Sequence, residues 1–242
     1  MKISVIVPCY NAEKWIEECV ASVANQKYTN FELIVVDNES TDKTVEVLEK
    51  LQASGLEFTL SSAPNIYPHC WDEAREVGFE LATGEYLLTI CADDYLHPDF
   101  LKNYVTVATR LKEKPMALQS PIKGVKGDNF VPYFTPLQSH YYKNLDQFKR
   151  LCLKQCPVNT PSVMFHRSLY ESGLLKAKPE TYGGAADYDL YCKLADNGVF
   201  IYPIRNWVGY YYRWHPEQAT WGVLGSGVNH NEKIQRYWRK KW

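Results

Sequence analysis

The chain has 242 residues, 45% apolar and 14% aromatic, enough to bury the core of one compact domain or of one domain with a smaller lobe. Its 27 basic and 28 acidic residues leave a formal charge of -1, so there is no overall electrostatic case for a nucleic-acid partner. No apolar run approaches the ~20 residues of a membrane helix. Met1 and Lys2 lead directly into a strand, which reads as no signal peptide. Seven irregularly spaced cysteines read as reduced thiols, so the expected location is cytoplasmic. Cys152 and Cys156 are four apart, which suggests one helix face; a metal site there would need two more ligands nearby.

In chain order, residues 3–7 read as a buried strand and 13–25 as a helix with Ile16, Val20 and Val23 on one side. Residues 31–36 form the next strand. Ser40 or Thr41 is placed to cap a helix running to about residue 54, with Val45, Leu48 and Leu51 inward. A short strand at 58–60 precedes a helix at 72–82 closed by Gly84. Residues 86–91 read as a central strand, and Pro98 opens the helix after it. This alternation predicts an α/β fold with a mostly parallel, doubly wound sheet. The second half is less regular. Residues 124–140 read as a loop, with helices near 145–153, 168–173 and 187–197 and strands near 200–204 and 208–213. No linker separates two domains. Residues 1–115 and 116–220 form two functional halves, and 221–242 a basic, aromatic tail.

Polar groups punctuate three strand ends: Pro8-Cys9-Tyr10-Asn11, Asp37-Asn38-Glu39-Ser40 and Asp93-Asp94. Ligands of open α/β sheets bind outside the carboxyl ends of strands, so three such ends suggest one pocket. The first turn has no glycine to bring backbone amides to a phosphate, which argues against a nicotinamide dehydrogenase or an ATPase. Carboxylates there suit a hard divalent cation bridging to phosphates.

Five stretches carry a family resemblance: SVIVPCYNAEKWIEECVASVANQ, FELIVVDNESTD, ATGEYLLTICADDYLHPDFL, AADYDLYCKLADNG and YYYRWHPEQAT. In this order and spacing, reaching residue 220, the sequence resembles the inverting glycosyltransferases of family 2, with the GT-A fold. The resemblance implies a Rossmann-like sheet flanked by helices in one domain. It also implies transfer of a sugar from a nucleoside diphosphate sugar to a hydroxyl of a glycan or lipid-linked acceptor, with Mn2+ or Mg2+.

Carried over by position, the resemblance implies that Pro8 and Tyr10 line the base pocket, with Asn11 also on the donor side. The alternative for Tyr10 is a turn aromatic filling the sheet edge. Asn38 stands where the family often has an aspartate that reads the base, and could also cap the next helix through an Asx-turn. Its amide suits a uracil or thymine edge, which favours a UDP or dTDP donor. Arg75 matches a helix arginine near the donor, or is a solvated charge. Asp93 matches the metal-binding aspartate, with Ala92 and Asp94 beside the donor; the alternative for the pair is helix capping before Pro98. Asp187 matches the catalytic base, or caps its helix, with Asp189 the weaker candidate. Arg213 and His215 match a late motif that approaches the diphosphate or metal, or pack on Tyr212 and Trp214. Thr160 and Ser162 match an acceptor-side segment.

Three positions depart from the family pattern: Cys91 for a first aspartate, Ala186 for a glutamate and Glu76 for an asparagine. They keep open an inactive GT-A domain that binds a ligand or partner. A nucleotidyltransferase of similar topology would carry a glycine-rich basic loop, absent here. In the tail, Ile234, Tyr237, Trp238 and Trp242 share a helical face among Lys233, Arg236, Arg239, Lys240 and Lys241. That pattern fits contact with an anionic inner-membrane face, or packing on the protein's own body or on a second copy.

Overall fold

Strand β1 (Ile3–Cys9) has its apolar side chains sealed from solvent on both faces, the condition of a strand inside a parallel sheet with helices on each side. The structure is a computed structural model and describes residues 1–66, 71–127, 129–131, 142–218 and 228–242. In it, β1 pairs in parallel with β2 (Phe31–Asp37) and, on its other edge, with β4 (Tyr86–Thr89). β3 (Thr59–Ser62) extends the sheet beyond β2. On the far side of β4 lies β9 (Met164–His166), antiparallel to both β4 and β6 (Ala117–Gln119), and β10 (Ile201–Pro203) closes that edge. The seven-stranded order is β10-β6-β9-β4-β1-β2-β3. A second sheet of four strands has the order β5-β11-β7-β8, built from Tyr95–Leu96, Tyr210–Arg213, Ile122–Lys126 and Asn129–Val131.

Alternation along the strands divides the core. Ile3, Val5 and Val7 of β1, with Leu33 and Val35 of β2, face α1 (Ile16–Ala24), α2 (Thr44–Ala53) and α4 (Phe100–Arg110). Ile6, Ile34 and Val36 face the other way. There they meet α3 (Trp71–Leu81) and the cluster formed by α5 (Leu145–Cys152), α6 (Ser168–Glu171), α7 (Pro179–Tyr182) and α8 (Ala186–Asp196). The expected GT-A arrangement, a large and mostly parallel sheet flanked by helices, is the one observed.

Some boundaries differ from expectation for local reasons. α1 begins at Ile16, because residues 12–15 form a turn in which Trp15 N donates to Ala12 O. α2 begins at Thr44, and it is Asp42, not Ser40 or Thr41, whose carboxylate accepts from the Thr44 amide at 2.9 Å. Gly84 is not a left-handed cap. It is glycine because a Cβ would lie 2.6 Å from Ser4 N, where the Gly84 amide donates to Ser4 Oγ at 2.8 Å. The expected loop at 124–140 begins as a hairpin of β7 and β8 turning through Gly127 at φ +57. That pairing depends on β11, some ninety residues later, which no local pattern announces. The rest of that stretch, 132–140, lies outside the described residues.

The tail folds as α9 (His230–Lys241). Ile234 and Trp238 are buried against the body, Trp238 Nε1 donates to Asp189 at 2.8 Å, and Trp242 Nε1 donates to Asp196 at 2.9 Å. Most of the apolar face considered for a membrane is therefore spent on the protein itself; of its four residues only Tyr237, half exposed, points out. Asp189 is the buried acceptor of that contact rather than a reserve base. Among the described residues no helix is long and apolar enough to cross a membrane.

Candidate active site

The ends of β1 and β2 finish in register, Cys9 opposite Asp37, so their turns emerge side by side. Asn11 and Glu39 adopt left-handed backbone, φ 47 and 58, which turns the chain sharply there. Asn11 clamps the turns together: its amide donates to Ser40 Oγ at 3.0 Å and its side-chain oxygen accepts from Thr41 N at 2.8 Å. Asn11 is thus occupied as a brace. Pro8 is half-buried beneath, and Tyr10 is 45% exposed at the mouth. Asn38 is 3% exposed; its Nδ2 donates to Pro64 O at 3.1 Å, while its Oδ1 is buried without a partner among the described residues. A buried acceptor left in that state costs about 1–3 kcal/mol until a donor reaches it.

The turn after β4 carries Ala92, Asp93 and Asp94, with Ala92 buried. Asp94 is 1% exposed, and each of its oxygens accepts a hydrogen bond from β11: the Tyr210 hydroxyl at 2.7 Å and the Arg213 amide at 2.8 Å. Burial and the neighbouring Asp93 push its carboxyl well above the usual range. Asp94 therefore ties the turn to β11, in place of the donor contact expected. Arg213 is likewise committed. Its Nε donates to Asp93 O at 2.8 Å, its Nη2 pairs with Glu18, and its guanidinium lies over Trp15 at 4.7 Å and Tyr95 at 5.3 Å. The expected diphosphate arginine is a bolt through the turn, joining α1, the turn and β11.

That bolt presents Asp93. Its Oδ2 lies 3.0 Å from His215 Nε2, and the His215 ring packs on Trp15 at 5.3 Å. Ligand atoms of Cys91, Asp93 and Asp94 lie within 4.8 Å of one another. Burial holds the Cys91 thiol far above its ordinary pKa, so it stays protonated, and a thiol suits a hard cation poorly. With Asp94 spent on β11, the donor set that fits Mn2+ or Mg2+ is Asp93 with His215, the few protein ligands such an ion takes when phosphates supply the rest.

Asp187 sits in the first turn of α8, half-buried. Its Oδ1 accepts from the Tyr188 amide at 2.6 Å and its Oδ2 from the Thr160 hydroxyl. Burial pushes its carboxyl up, while Thr160, Tyr188 N and the Arg75 charge pull it partly back. Arg75, on α3, pairs with Asp72 at 2.6 Å and lies over Phe79, with its Nε buried and unpartnered among the described residues. Thr160 is exposed beside Asp187. Ser162 is fully buried, its hydroxyl donating to Ser120 O at 2.8 Å, and so cannot meet an acceptor. No local spacing marks Tyr210, Glu18 or Trp15, whose partners in the site are Asp94 for the first and Arg213 for the other two, far away in sequence.

Residues 4–176 match the family model for glycosyl transferase family 2. The chain belongs to this family. The poly(ribitol-phosphate) beta-N-acetylglucosaminyltransferase TarS of Staphylococcus aureus is 37% identical over 135 residues, which are 52% of this chain and 22% of TarS. The crystal structure of TarS 1–349 is 26% identical with a TM-score of 0.70, covering 97% of this chain and 69% of that one. The same fragment in complex with UDP is 25% identical with a TM-score of 0.66, covering 98% and 70%. The matched sequence thus spans about a fifth of the full TarS sequence. The family model ends before Asp187, Arg213 and His215.

Proposed function

We propose that this family 2 glycosyltransferase carries out an inverting, metal-dependent transfer from a uridine or thymidine diphosphate sugar to a hydroxyl of a glycan or lipid-linked acceptor. The observation that carries this reading is the separation of two carboxylates by role. Asp93, on the turn after β4, is paired with His215, which follows β11, and Asp187 is held on α8 with its basicity raised by burial. Asp93 and His215 would hold Mn2+ or Mg2+, which when bound supplies positive charge to the leaving diphosphate. Asp187 takes the proton of the acceptor hydroxyl as its oxygen attacks the anomeric carbon. The bond from that carbon to the diphosphate oxygen breaks on the opposite face, and its electron pair leaves with the nucleotide. One displacement inverts the centre and needs no protein nucleophile. Arg213 acts at one remove, fixing the turn that carries Asp93.

The base pocket supports a pyrimidine. The Asn38 oxygen has no donor among the described residues, and the imide N–H of uracil or thymine would supply one. That a TarS fragment binds UDP is in keeping with this. Calorimetry with manganese tests the assignment: UDP binds more tightly than GDP. A clear preference for GDP overturns it.

A further inference from the structure

We infer that Thr160 is a positioning residue for Asp187, its hydroxyl fixing the carboxylate so that the remaining lone pairs face the acceptor. The inference rests on Asp187 being the base, and adds a residue to that machinery. Asp187 has four lone-pair directions. The Tyr188 amide takes one on Oδ1 and Thr160 takes one on Oδ2, so neither oxygen is free to rotate away.

The position of the hydroxyl is itself built. Thr160 opens the 3-10 turn Thr160–Ser162, and both its flanks are anchored in the core. On one side Asn159 N donates to Gln119 Oε1 at 2.9 Å and Asn159 Nδ2 donates to Ser120 O at 3.1 Å. On the other, Ser162 is bonded to Ser120 through both its donor and its acceptor functions. An exposed side chain between two buried anchors is held where a free loop could not hold it. Pro161, the next residue, stiffens the turn further.

The groups around Asp187 agree with this role. Tyr191 on α8 interacts with the same Thr160 hydroxyl and is buried, so its phenol stays protonated. The Cys156 thiol, before the turn, is held protonated by burial and by the Asp187 charge. Arg75 on α3 supplies a positive charge that acts on Asp187 across space. Thr160 is therefore the side chain that bonds directly to the ionised carboxylate. Removing its hydroxyl lets the proton bind Asp187 more easily, because a donated hydrogen bond favours the charged form.

The test is a 13C titration of aspartate carboxyls in wild type, Thr160→Val and Thr160→Ser, with the Asp187 signal identified by its loss in Asp187→Asn. Valine keeps the shape and removes the hydroxyl; its Asp187 midpoint moves to higher pH, and serine returns it toward wild type. An unchanged midpoint in valine, or no return in serine, overturns the inference. Turnover separates this from the underlying assignment. With UDP-GlcNAc and manganese, Thr160→Val loses on the order of tenfold in UDP release at acid pH and recovers as pH rises, whereas an equal loss at every pH counts against it. A fully active Asp187→Asn removes the base assignment itself while leaving the titration result standing.

Discussion

Replacing Asp94 by alanine separates a framework residue from a ligand. Both Asp94 oxygens accept from β11, so the change strands the Tyr210 hydroxyl and the Arg213 amide inside the protein. Each buried donor left unpaired costs about 1–3 kcal/mol. Some of this is returned because a buried carboxyl of raised pKa is itself costly to keep charged. A net loss of about 3 kcal/mol is expected, equivalent to about 6–12 °C in Tm for a chain of this size. Urea denaturation followed by tryptophan fluorescence measures it directly. Adding Tyr210→Phe to the alanine variant should then cost much less than Tyr210→Phe alone, since the two share one hydrogen bond. Wild-type stability in Asp94→Ala, with only donor binding weakened, would refute the framework role and return Asp94 to the donor.

Glu32 offers a test of pH dependence. Burial acts to raise its pKa, but Lys2, Ser4 and Thr83 outweigh that and hold it down at about 2. A lowered folded pKa gives stability that is present above the ordinary carboxylate pKa and lost as pH falls from there toward about 2. Glu32→Gln should lose about 1–2 kcal/mol at neutral pH, after discounting for screening at the exposed Lys2, and flatten the acid limb of the stability curve; an unchanged limb counts against it. Asp93→Ala should abolish manganese-dependent tightening of UDP in calorimetry while leaving Tm nearly unchanged, and a variant that retains that metal effect would place the ion elsewhere.

The alternating half was legible because period-2 strands and apolar helix faces are local signals. Ile16, Val20 and Val23 all lie buried on α1 as their spacing predicts. The strand-end polar residues do gather: the turns after β1 and β2 emerge side by side. What stayed hidden was the division of labour among them. Asp94 and Arg213 look like ligand residues by type and place, yet burial and long-range partners commit them to the framework. Ser162 looks equivalent to Thr160 two residues away, but the 3-10 turn sends one inward and the other out. Trp238 looked available to a membrane until Asp189, on another helix, supplied its partner.

The central claim is that Asp187 takes the acceptor proton, and the most direct measurement is UDP release by Asp187→Asn beside calorimetric UDP binding to the same protein. Asparagine keeps the size of the side chain and can still accept from Thr160, but cannot take a proton. The account predicts wild-type nucleotide affinity with turnover slowed about 10²–10⁴-fold. Release at the wild-type rate would contradict it.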